Sequence, residues 1–354
     1  MLLPVEILAL VFSFLDETSL AFCTQICQEW HAIIKSGMVK NGRLRLRIFA
    51  EDIAGSVSLL IWQKTIKRMV FLKKTCAWAA KSGNLDALKF ARANGCPWDE
   101  LTCAEAARFN HLKILQYAHE NGCEWNSNTC RWAAVRGHLQ ILKYAHENGC
   151  PWGAFVCSSA ARGGYLEVLK YARANGCPWD ELTCAEAACG GYLEIIKYAH
   201  ENGCPWDHWT CAYAGSSGSL EILEYAVKNG CNFGSVPSME QSGRNWPCLF
   251  ASLHGHLHIL KYADENGFLQ RNDPGICLNA AEGGHLEVLK YAHTTGHPWD
   301  AWVCAYAARE GYLEVLKYAL DNGCPWDETI LPVPLSCFDQ PHITAYLKEK
   351  ALIF

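Results

Sequence analysis

Residues 98–122, WDELTCAEAARFNHLKILQYAHENG, decide the fold. They read as two short helices joined by a tight turn. Asp99 is placed to cap the first helix, with its side-chain oxygen beside free backbone N–H groups. Ala104, Ala106 and Ala107 are strong, slim helix formers that let neighbouring helices approach closely. The second helix sets Leu112, Leu115 and Ala118 on one face, flanked by Ile114 and Tyr117. It ends at Asn121-Gly122, where glycine supplies the left-handed C-terminal conformation.

Working outward, the same stretch recurs. Cys96, Cys123, Cys150, Cys177, Cys204 and Cys231 are 27 residues apart, as are Cys76, Cys103, Cys130, Cys157, Cys184 and Cys211. Nine copies of the second half begin at Gly83, Asn110, Gly137, Gly164, Gly191, Gly218, Gly255, Gly284 and Gly311. The rhythm breaks twice: the step from Cys231 to Phe268 is 37, with SVPSMEQSGR as the extra loop, and from Phe268 to His297 it is 29. A two-helix unit this short cannot bury its apolar face alone, so neighbours must stack. The expected fold is all-α, an α-solenoid of nine helix-turn-helix repeats over residues 75–330 with a C-terminal capping segment over 331–354. Glu167 with Lys170, Glu194 with Lys197 and Glu314 with Lys317 are spaced to pair across one turn.

The string AAxxGHLEVLKYAxxNG resembles the ankyrin helix pair, and Thr102 with the following Cys-Ala-Glu-Ala-Ala takes the place of that family's Thr-Pro-Leu-His start. The step is 27 and not 33. Six residues are missing between Gly122 and Thr129, where the family places its β-hairpin finger. The resemblance therefore implies an ankyrin-like array lacking most fingers, with a Cys-Pro-Trp turn instead.

Residues 1–38 follow another pattern. Ile7, Leu8, Val11, Phe12 and Leu15 form one helical stripe, and Leu20, Cys23, Cys27 and Trp30 form a second. Ile33 and Ile34 suggest a third short helix. The string Leu-Pro-x-Glu-Ile-Leu, then Val-Phe-Ser-Phe-Leu-Asp, then Ile-Cys-Gln-Glu-Trp resembles an F-box. That resemblance implies docking onto the Skp-type linker subunit of a cullin ubiquitin ligase while the rest of the chain recruits a target protein. Leu3, Pro4, Ile7, Leu8, Val11 and Phe12 would face the linker subunit, with Leu15, Leu20, Cys27 and Trp30 shared between core and interface. The alternative is a helical cap for the solenoid. Residues 39–74 are expected to be a connecting helical segment. An F-box followed by GCPWD-type repeats resembles arrays of giant DNA viruses and some algae, which implies action in the cytoplasm or nucleus, of a host cell if viral.

A net charge of −5 and only 19% charged residues argue against general nucleic-acid or membrane binding. The apolar stretch from Ile7 to Leu15 is too short to span a bilayer and lacks the flanks of a secretory signal. The 20 cysteines are therefore expected to be thiols. They lack zinc spacing and read as small buried residues, so no metal and no cofactor is expected. Trp98, Trp125, Trp152, Trp179, Trp206, Trp299 and Trp326 recur in the turn and read as packing, with a ligand-stacking ladder as the alternative. His119, His146, His200 and His293 fall in the last turn of second helices, where a cation or donor suits the helix dipole.

No phosphate loop, nucleophile-base set or HExxH string is present, so an enzyme is not expected. Binding is expected where the repeats differ. Two residues after the first-helix cysteine, the column reads Trp78, Glu105, Trp132, Ser159, Glu186, Tyr213, Phe250, Asn279 and Tyr306. Nearer the glycine, the positions include Arg108, Phe109, Arg136 and Arg309. In ankyrin-like arrays this end of the first helix borders the binding groove, and Trp, Tyr and Arg dominate interface energetics. The expected groove is Trp78, Arg108, Phe109, Trp132, Arg136, Tyr213, Phe250, Tyr306 and Arg309, with variation without function as the rival reading. The chain is expected to act as a monomer that binds an unknown target protein.

Overall fold

The structure is a computed structural model that describes residues 39–40, 43–44, 74–233, 245–330 and 340–353. The F-box-like residues Leu3, Pro4, Ile7, Leu8, Val11, Phe12, Leu15 and Trp30 lie outside the described residues, as does the extra loop. Two short strands, β1 (Val39–Lys40) and β2 (Arg43–Leu44), pair antiparallel where the sequence reading has a helical connection. Everything else with regular structure among the described residues is helical.

The chain divides into two compact units at Trp152/Gly153. The first unit holds three helix pairs: α1 (Lys74–Ser82) with α2 (Leu85–Ala93), α3 (Glu100–Arg108) with α4 (Leu112–Glu120), and α5 (Ser127–Val135) with α6 (Leu139–Glu147). The second holds α7 (Ala154–Gly163) with α8 (Leu166–Ala174), α9 (Glu181–Gly190) with α10 (Leu193–Glu201), and α11 (His208–Ser217) with α12 (Leu220–Lys228). It continues with α13 (Trp246–Leu253) and α14 (Leu257–Glu265), α15 (Gly275–Glu282) and α16 (Leu286–Thr294), and α17 (Ala301–Glu310) and α18 (Leu313–Asp321). A 3₁₀ turn (Glu328–Ile330) and α19 (Pro341–Glu349) follow. Within each unit the first helices stack one on the next in chain order, α1 on α3 on α5 and α7 through α17, as in a solenoid.

Slim residues explain that stacking. Ala106, Ala107, Ala133 and Ala134 in the first unit and Ala160, Ala187 and Ala307 in the second are wholly buried, and so are the first-helix cysteines. Asp99, Asn126, Asp207 and Asp300 cap their helices by accepting from the N–H two residues on, at 3.0–3.2 Å. In the second helix the buried stripe is Ile114, Leu115 and Ala118, and Leu112 is only half-buried. At about 100° per residue the three buried positions share one arc, and Leu112 falls roughly 110° from its middle. Gly122 has φ +81° and lets the Cys123 N–H return to Ala118 O at 2.9 Å. The asparagine before it is needed too, since Asn121 Nδ2 donates to Tyr117 O at 2.8 Å, and its counterparts repeat the bond.

Two further ladders tie repeat to repeat. Cys123 Sγ donates to Asp99 O at 3.2 Å and Cys150 Sγ to Asn126 O at 3.3 Å. In the second unit Cys204 reaches Asp180 O at 3.3 Å, Cys231 reaches Asp207 O at 3.1 Å and Cys324 reaches Asp300 O at 3.2 Å. His297 holds a cysteine position, and its Nδ1 lies 3.3 Å from Asp273 O. At the opposite end of the helix pairs, His111 Nε2 lies 3.2 Å from Lys81 O and His285 Nε2 lies 3.0 Å from Leu253 O. The turn tryptophans pack between repeats. Trp125 stacks on His119 at 3.7 Å with Tyr144 edge-on at 6.3 Å, and Trp299 on His293 at 3.9 Å with Tyr318 at 6.3 Å. Arg92 and Arg173 replace the histidine over Trp98 and Trp179 at 4.0 and 3.9 Å. The last-turn histidines thus act through ring stacking as well as position.

Candidate partner-binding face

The varied column is half-buried at every position, from Trp78 through Glu105, Trp132 and Tyr213 to Tyr306. Cys76, Cys103 and Cys130, two residues earlier, are fully buried. The physical cause is the helical period: the cysteine points into the stack, and two residues on, about 200° round, the side chain leaves from nearly the opposite side of the helix. Half-burial leaves each of these side chains partly accessible, which suits recognition.

The expected groove residues gather into three groups. In the first unit the Arg108 guanidinium lies over the Trp132 ring at 4.5 Å and over Phe109 at 5.4 Å, and reaches Glu105 only at 3.8 Å. Trp78 heads the same column on α1, and Arg136 caps α5 with an exposed side chain. In the second unit Tyr213 and Phe250 are parallel at 6.4 Å, joined to Trp209 and Trp246 in one four-ring cluster with centroids 5.6–6.0 Å apart. Further along, Arg309 covers Tyr306 at 4.2 Å and pairs with Glu282 at 3.2 Å and Glu310 at 2.6 Å.

One column escaped the sequence reading. Leu101, Phe155, Leu182, Trp209, Trp246 and Trp302 stand two residues before the cysteine, one helical turn ahead of the varied column. Four of them are exposed large apolar side chains, with Phe155 65% and Trp302 43% accessible. The i, i+4 relation to Glu105, Ser159, Glu186 and Tyr306 was the available signal.

The chemistry is that of contact. The 17 described cysteines are thiols outside any disulfide, and all but Cys189 are buried. Hydrogen bonding to Cys123 and then burial push the Cys103 thiol far above its ordinary range, and Cys184 beside Cys204 behaves alike. Neither is a ready thiolate nucleophile. The thiols in contact are 20 residues apart and not seven. Among the described residues no three His, Cys, Asp or Glu side chains converge on a metal position, and none of their helices is long and apolar enough to cross a membrane.

Residues 1–39 match the F-box-like family model. No curated relative matches the chain. Of 146 matching solved chains, one is the crystal structure of the human ASB11 ankyrin repeat domain, with a TM-score of 0.39 and 20% identity, covering 48% of this chain and 84% of that one. The chain therefore carries an F-box-like region ahead of stacked helical repeats.

Proposed function

We propose that this protein is a substrate receptor of a Skp, cullin, F-box type ubiquitin ligase. Residues 1–38 dock on the linker subunit through Leu3, Pro4, Ile7, Leu8, Val11 and Phe12, with Leu15 and Trp30 bracing that surface. The repeats hold the target protein on the first-helix face. The mechanism is tethering, which raises the target's effective concentration beside a catalytic subunit carried elsewhere in the ligase. The observation that carries the reading is the F-box-like match over residues 1–39, placed ahead of repeats whose framework is uniform and whose half-buried column is varied. The site of action that fits is the cytoplasm or nucleus, with the protein a monomer in the ligase.

The test is a pulldown with the purified linker subunit. Wild type is captured, and Leu8→Ala with Phe12→Ala abolishes capture. Absence of wild-type capture sinks the ligase reading. A target held equally well with and without residues 1–38, and left unmodified in cells, favours an interaction scaffold instead. On the face itself, Trp132→Ala weakens target binding by more than about 1 kcal/mol, the scale of an interface hot spot.

A further inference from the structure

Three first helices carry arginine at the same position, five residues after the cysteine: Arg108, Arg162 and Arg309. Two of these are consumed internally. Arg162 donates to both Glu186 oxygens at 3.0 and 3.3 Å, and Arg309 donates to Glu282 and Glu310. Arg108 differs. Its guanidinium lies 4.5 Å from the Trp132 ring centroid and 5.4 Å from that of Phe109, its Nε is buried without a partner, and its ion pair with Glu105 at 3.8 Å is longer than a hydrogen bond. Around it, the first helices of this unit and their caps carry Lys74, Lys81, Arg131 and Arg136 besides Arg108, against Asp99, Glu100 and Glu105. The first helices of the second unit carry two arginines against four glutamates, and Asp180, Asp207 and Asp300 at their caps add to the acidic side.

Resting on the partner-binding reading above, we propose that the face formed by α1, α3 and α5 takes an acidic peptide segment of the target protein. A carboxylate of that segment meets the Arg108 guanidinium, a second meets Arg136, and an apolar side chain lies against Trp132. Contact with the two rings and the burial of its Nε narrow the conformations of Arg108 before the ligand arrives, so less freedom is lost on binding. The planar fork then offers a bidentate match to a carboxylate. Glu105 offsets part of the charge and sets a direction, favouring peptides whose acid reaches the side of Arg108 away from it.

The experiment pans a random 12-residue phage library on the intact chain and measures the leading peptide by fluorescence anisotropy. The proposal expects acidic sequences to be enriched, and binding to fall about tenfold in Arg108→Gln. Arg136→Gln should show the same trend while circular dichroism melts stay unchanged. If Arg108→Gln perturbs the melt, Arg136→Gln alone decides the question. Neutral or basic winners, or acidic winners indifferent to both substitutions, overturn the proposal while leaving a binding face in place, provided Trp132→Ala abolishes them. A 12-nucleotide single strand that binds more tightly than any peptide and is lost in the same variants reassigns the face to nucleic acid and also overturns it. No enrichment of any sequence removes the partner-binding reading itself.

Discussion

Gly215 offers the sharpest test of the packing argument. It lies in α11 where seven other repeats have alanine, at Ala80, Ala107, Ala134, Ala161, Ala188, Ala281 and Ala308. Helix propensity alone says that Gly215→Ala should stabilise the protein by about 1 kcal/mol. The structure says the reverse. A Cβ at Gly215 would stand 2.3 Å from Pro247 O and 2.9 Å from two further backbone atoms of Pro247. Backbone cannot rotate away as a side chain can, so α11 and α13 must separate. Overpacking of a close-packed interface costs up to about 3 kcal/mol, and subtracting the propensity gain leaves about 2 kcal/mol of destabilisation. The companion Ala188→Gly, one repeat earlier, should also destabilise, by about 1 kcal/mol from propensity and lost packing. Urea titrations of the intact chain followed by far-ultraviolet circular dichroism measure both. A higher midpoint for Gly215→Ala would refute the claim that the α11–α13 approach, and not helix preference, selects glycine there.

Other perturbations test the ladders. His297 is 3% accessible and burial holds its pKa below the ordinary 6.5, so the fold favours the neutral ring. Its stabilisation is therefore complete above about pH 6.5 and lost as pH falls below that value. His297→Cys restores the thiol of the other repeats, and its melting temperature should drop less than wild type's between pH 7.5 and 5.5; equal drops would count against the assignment. Thr183 is fully buried with an unpartnered Oγ1, and Val156 and Val303 occupy the same place in other repeats. Thr183→Val should leave the urea midpoint unchanged or raise it, and a fall of more than about 1 kcal/mol would show that the hydroxyl has a partner after all.

The repeat, the two helices in each unit, their aspartate and glycine ends and the identity of the small core residues were all legible in the sequence. Each is set by local rules that repeat every 27 residues. The half-buried state of the varied column followed from the same helical period, and so would have the exposed series at Leu101, Phe155, Leu182 and Trp302. What one dimension could not show is which side chains of different repeats meet. Arg108, Arg162 and Arg309 look equivalent as letters, yet Glu186 and Glu282 on neighbouring helices hydrogen-bond two of them, while Arg108 has Trp132 across the repeat and only the longer ion pair with Glu105 on its own helix. The thiol-to-carbonyl bonds and the choice of glycine at 215 have the same origin. They are properties of the spacing between stacked helices, and that spacing exists only once the chain has folded and its neighbours press against each other.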